Sequence, residues 1–279
     1  MKKNYVMLSL SALALFLCSF SFYQAANTKP KMVMVEGGTV KMTPKENAVD
    51  AKTKKKIVYD VTVSSFEMAQ YEVTVADWKS YTSANKINMP ARPVWGWKDE
   101  FPITNITWVQ AIDYCNWLSK VNNLKPAYTK KGDKYICDFT ADGYRLPTDA
   151  EWEFAAKGGN ASKGYSYSGG NDLDLIAWYA TNSEKAPKEI GTKLANELGL
   201  YDMSGNVWEW CWDYYSPIYH KVEKRNNPSG PDRGEKRCVR GGSWDSSKLD
   251  YLNPAKNQLN WNPKTTNEFF GFRLVRTVK

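Results

Sequence analysis

Tyr144 to Gly158 reads YRLPTDAEWEFAAKG, and Gly199 to Trp210 reads GLYDMSGNVWEW. The first stretch predicts a short helix opening at Thr148. Thr148 and Glu151 stand at capping-box spacing, so each side chain can bond the other's orphan backbone N–H. Gly158-Gly159 stops that helix. The second stretch predicts none. Its glycines permit backbone conformations that other residues resist. Trp208 and Trp210, with Trp152 of the first stretch, can bury large apolar area where regular structure is sparse. Both stretches therefore speak of packing before they speak of chemistry.

Working outward, Thr107 caps a clearer helix, with Trp108, Ala111, Ile112, Cys115 and Leu118 at helical spacing. Cys115 lies on that stripe and reads as a buried, inert thiol. Thr74 is an N-cap for a short helix beginning at Val75. Met32 to Met42, with Gly37-Gly38 inside it, reads as strand, tight turn and strand, and Val58 to Thr74 as extended chain. Lys120 to Gly143 reads as a long polar connection. After Gly159 no long helix is expected. Short aromatic strands at Val207–Trp212, Arg237–Gly242 and Phe270–Val278 alternate with loops long enough to suggest a binding role.

The 279 residues are 14% aromatic and 24% charged, an ordinary globular balance. Net charge is +8, and removing Lys2 and Lys3 lowers it by two. The densest basic run, Lys52 to Lys56, reads as a solvated turn, so no nucleic-acid partner is expected. Lys2 and Lys3 precede an apolar run from Tyr5 to Tyr23, the pattern of an export signal or anchor. Leu15-Phe16-Leu17-Cys18 is a loose lipobox that would acylate Cys18. The expected layout is residues 1–26 as signal peptide, lipoprotein or membrane anchor and 27–279 as one domain, in the periplasm or at the cell surface. The membrane enters only through that anchor, and a monomer is expected. Cys115, Cys137, Cys211 and Cys238 remain in the domain, and four cysteines allow three complete pairings.

Five ordered segments resemble the sulfatase-modifying factor (formylglycine-generating enzyme) family: Met34 to Gly38, Tyr71 to Thr74, the two opening stretches, and Arg240 to Trp244 followed by Gly271-Phe272-Arg273. The resemblance implies an α+β, C-type-lectin-like fold with low regular secondary structure. The family's oxidase holds copper with two cysteine thiolates, and soft thiolates suit Cu(I). In this chain the matching positions are Ser246 and Tyr251. No copper is expected. A second branch of the family holds iron with several histidines. His220 is the sole histidine here, so no iron is expected either, and His220 itself reads as an exposed loop residue.

The family's calcium segment, carried over position by position, implies Ca2+ held by the side chains of Asp202 and Glu209 and the backbone carbonyls of Gly205 and Val207, all hard oxygen donors. The long loop from Asp245 to Glu268 mixes Asn, Ser, Lys, Tyr and Trp, a composition that joins rigid aromatic anchors to adaptable hydrogen bonders. In some surface proteins of this fold that segment is diversified. The leading expectation is an exported or surface-anchored, non-catalytic protein that binds a protein or surface ligand through Trp244, Asp245, Ser247, Tyr251, Asn260 and Trp261. The alternatives are an oxidoreductase with an altered centre, using Cys115 or Cys137, and a structural component of an envelope assembly.

Overall fold

The computed structural model describes residues 29–42, 58–216, 225–256 and 258–278. The N-terminal signal with Cys18, the Lys52–Lys56 run and His220 lie outside the described residues.

Four antiparallel strands make the first sheet, in the order β1 (Met32–Val35), β4 (Phe66–Ala69), β12 (Val275–Thr277) and β7 (Tyr144–Arg145). The last strand of the chain thus lies beside one of the first. The second sheet runs β10 (Gln258–Trp261), β9 (Arg237–Arg240), β8 (Trp208–Tyr214), β11 (Phe270–Gly271), with β11 parallel to β8. Two hairpins complete the strands: β2 (Gly38–Met42) with β3 (Tyr59–Val63), and β5 (Tyr128–Lys131) with β6 (Lys134–Cys137). The helices are α1 (Val75–Asn85), α2 (Trp108–Val121), α3 (Asp149–Ala156) and the four-residue α4 (Leu173–Ile176). This is the mixed, sparsely regular architecture the sequence implies.

All three predicted caps form. Thr148 accepts from the Glu151 N–H at 3.1 Å, while the Glu151 carboxylate takes the Thr148 N–H at 2.8 Å. Thr74 with Asp77 and Thr107 with Gln110 make the same reciprocal pair. Each satisfies two N–H groups that a helix start leaves without partners. Trp152, Trp208 and Trp210 are buried, as is Cys115.

Met32–Met42 forms the two expected strands, of which β1 pairs with β4 and β2 with β3. Two readings need correction. The Lys120–Gly143 connection holds the β5–β6 hairpin, whose alternation is masked by lysines on both of its faces. The Asp245–Glu268 loop is partly ordered: it contains a 3-10 turn at Leu249–Leu252 and strand β10, which pairs with β9.

One core cluster gathers α1, α2, Trp208, Trp210, Trp212 and the Phe270–Leu274 segment. A second gathers β1 to β4, α3, Cys211 and Cys238. Ion pairs stitch the polar remainder. Arg240, fully buried, reaches Asp149 at 2.5 Å and Glu153 at 2.8 Å. Arg145 holds Glu151 through two bonds of 2.7 Å, and Arg273 holds Glu209 the same way. Such bidentate pairs fix geometry as well as charge.

Candidate functional site

Gly199 to Trp210 is positioned by backbone that few residues tolerate. Gly205 has φ +95, and a Cβ there would lie 2.2 Å from the Trp178 carbonyl oxygen. Asn206 then ties three motifs together. Its side-chain N–H donates to Glu72 at 2.7 Å, its side-chain oxygen accepts from the Lys188 N–H, and its carbonyl accepts from the Trp244 N–H at 2.7 Å. The 243–246 turn is therefore anchored from below.

That turn closes on itself. Ser246 is buried, its hydroxyl accepts from the Ser243 N–H at 2.9 Å, and its own N–H donates to the Ser243 carbonyl. Tyr251 packs edge-on against Trp208 with ring centroids 5.7 Å apart. Ser246 and Tyr251 line one open cleft of about 250 Å3 with Trp208, Ser243, Asp245, Ser247, Lys248 and Phe269. The structure brings together three of the six expected contact residues here: Asp245, Ser247 and Tyr251. Sequence reasoning missed Lys248 and Phe269, and it gave Trp208 a packing role alone.

The other three expected contacts sit elsewhere. Trp244 is 6% exposed, wedged against Trp95 and Phe269, with its indole N–H on the Glu268 carbonyl. It packs against Phe269, a wall of the cleft, and does not itself line the cleft. Asn260 and Trp261 lie on β10 opposite Cys238 and Arg237 and do not line the cleft. Trp261 is exposed and leans on Phe270 at 5.3 Å.

The positions carried over for calcium split in the same way. Both oxygens of Glu209 are engaged, by Arg273 and by the Trp152 indole N–H at 2.7 Å. Asp202 accepts from the Gly191 N–H through one oxygen, and its other oxygen is buried with no partner. Burial pushes its carboxyl up to about 6, with Glu209 adding to the effect. Glu72 is pushed well up by burial and then by Asp202 and Glu209. Three neighbouring carboxylates thus face the one guanidinium of Arg273. Asp202 fits a hard cation; Glu209 already accepts hydrogen bonds through both oxygens. Among the described residues no group of three or more acidic, histidine or cysteine side chains is arranged to hold a metal.

Among the described residues, Cys115, Cys137 and Cys211 are free thiols. Burial pushes the Cys115 and Cys211 thiols well up and Cys137 to about 12. Thiolates, the reactive and metal-binding form, are disfavoured at all three.

The chain matches the family model described as the sulfatase-modifying factor enzyme 1-like domain over residues 20–278. It belongs to that family. It is 36% identical over 282 residues to the chaperone protein LppX of Paenibacillus barcinonensis, covering 88% of this chain and 90% of the relative. It is 30% identical over 191 residues to the formylglycine-generating enzyme of Streptomyces coelicolor, covering 62% of this chain and 52% of that enzyme, so it spans about half of it. Among solved structures, Treponema denticola variable protein 1 superposes with a TM-score of 0.75 at 30% identity, covering 88% of this chain and 95% of that one. Among the described residues no helix is long and apolar enough to cross a membrane.

Proposed function

We propose that this domain is an exported, non-catalytic binding protein whose ligand, a protein segment, enters the cleft formed by residues 243–251, Trp208 and Phe269. The observation that carries the reading is the state of Ser246 and Tyr251. One hydroxyl is spent on the Ser243 N–H and the other side chain is packed on Trp208, yet both line an accessible cleft. A site without thiolates cannot hold Cu(I) as the family's oxidase does, but its mixed hydroxyl, charged and aromatic walls suit adaptable recognition. Two relatives support this by name, one a chaperone and one a variable protein. The raised cysteine pKa values weigh against an altered thiol centre at Cys115 or Cys137.

Two measurements test the reading. With Cu(I) and a cysteine-containing sulfatase peptide, oxygen uptake should equal that of a variant with all four domain cysteines changed to serine; uptake above that control sinks it. Calorimetric titration with a reduced, carboxymethylated unfolded protein should show binding that Asp245→Arg with Ser247→Arg abolishes. Both positions are exposed, so the melting temperature should not move. Binding unaffected by that pair would place the ligand elsewhere.

We further propose a structural Ca2+ at the free oxygen of Asp202, joined by the carbonyls of Gly205 and Val207, with Glu209 the weakest member of the set. The cation would offset the surplus of buried carboxylate charge. EDTA should then lower the melting temperature reversibly, and an unchanged melting curve would count against the site.

A further inference from the structure

A second cleft, of about 210 Å3, opens at the other end of β8, by Trp212 and Tyr214, and shares no residue with the first. Tyr135, Ile136 and Cys137 of β6 form one wall with Phe139; Trp212 and Tyr214 of β8 form another. Arg237, the first residue of β9, lines it and is only 2% exposed.

Arg237 lacks what a buried guanidinium normally has. Among the described residues it makes no ion pair. Its Nη1 donates to the Trp212 carbonyl, and its Nε is buried without a partner. The cation lies over aromatic rings, 3.4 Å from the centroid of Tyr214 and 3.7 Å from that of Trp108. Asp213, the nearest buried carboxyl, accepts from the Asp149 N–H instead, and burial followed by Asp149 pushes it well up. Burial lowers Arg237 itself only to about 10, so it stays cationic at neutral pH. Leaving a buried charge uncompensated is costly, and the Nε–Nη2 edge of a guanidinium is the fork that takes a carboxylate through two parallel bonds.

We propose that this cleft binds a small aromatic carboxylic acid, with its carboxylate on the free edge of Arg237 and its ring among Tyr135, Phe139, Trp212 and Tyr214. A space of this size accommodates roughly one aromatic ring, and the walls supply ring-on-ring contact. The carboxylate supplies the ion pair that no described residue provides. Cys137, also in the wall, keeps its proton because burial holds the thiol near 12, so no covalent chemistry is assigned to it.

The probe is benzoate, titrated into the full chain at constant ionic strength and followed by tryptophan fluorescence and thermal shift. Binding should be saturable and at least tenfold tighter than that of benzamide, which keeps the ring and loses the charge. Ile136 is 46% exposed at the cleft mouth, so substitution there tests the site without risking the fold. Ile136→Glu should weaken benzoate several-fold and Ile136→Lys should strengthen it. Asp232, a carboxylate on the rim, opposes an incoming anion, so Asp232→Asn should also strengthen binding. Benzamide binding as tightly as benzoate, identical behaviour of the two Ile136 variants, or no saturable benzoate signal would each overturn the proposal.

Discussion

Arg237 and Arg240 stand at the two ends of the same strand and are buried to almost the same degree, yet their surroundings are opposite. Arg240 is met by Asp149 and Glu153 from α3, and its remaining Nη1 reaches the Pro254 carbonyl at 2.9 Å. Arg237 is met by Trp108, Trp212 and Tyr214, and by no carboxylate among the described residues. Burial alone therefore does not assign a role. A guanidinium whose charge is answered within the chain is a strut. One whose charge is left to aromatic faces is open to a ligand.

The sharpest way to break this contrast is Arg240→Met. Asp149 and Glu153 would lose a shared cation in a water-free interior, and removing one partner of a buried pair costs about 3–5 kcal/mol. With two carboxylates affected, the upper end of that range is expected. Denaturant melts should show the loss as a lower midpoint with an unchanged slope. A drop under about 1 kcal/mol would show that α3 is not held by this pair.

Arg145 and Glu151 extend the strut class and add a pH signature. Burial would raise the Glu151 carboxyl, but Arg145 overcomes it and holds the group below its usual range. Its contribution is therefore complete above the ordinary carboxylate pKa and is lost as pH falls through the lower, folded value. Glu151→Gln keeps an acceptor for the Thr148 N–H while removing the charge. It should cost about 3 kcal/mol at pH 7 and progressively less toward pH 3. A penalty that stays flat with pH would assign the effect to packing.

The caps were the legible part. Thr148 with Glu151, and Thr107 and Thr74 at the other helix starts, are local signals, so a few residues of spacing carry them. The GLYDMSGNVWEW stretch was legible as fold because its glycines answer close backbone approaches such as Gly205 against Trp178. What escaped was set by distant contacts. Trp244 looks like a surface anchor until Trp95, 149 positions earlier in the chain, closes over it. The β5–β6 hairpin was hidden because lysines fall on both of its faces: Lys130 shares one with Tyr128, Tyr135 and Cys137, and Lys131 and Lys134 share the other with Thr129 and Ile136. Arg237 opens an expected strand, Arg237–Gly242, and nothing in that strand points to Trp108 on α2. The copper positions were readable by alignment with the motif, whereas the way Ser246 closes its own turn was not.

Arg237→Met is the smallest expected effect and the most telling. The substitution forfeits cation–π contact worth about 0.5–2 kcal/mol and leaves the Trp212 carbonyl short of a donor. Against that, it removes a desolvated charge and an unpartnered Nε, a burden of about 1–3 kcal/mol. The terms nearly cancel, so stability should change by about 1 kcal/mol or less, while benzoate binding disappears. The same substitution at two ends of one strand would then separate cleanly, with Arg240→Met losing the fold's stability and Arg237→Met losing only the ligand. Equal destabilisation by both would mean that the aromatic cage around Arg237 is itself a strut, and that its missing carboxylate is no invitation to bind.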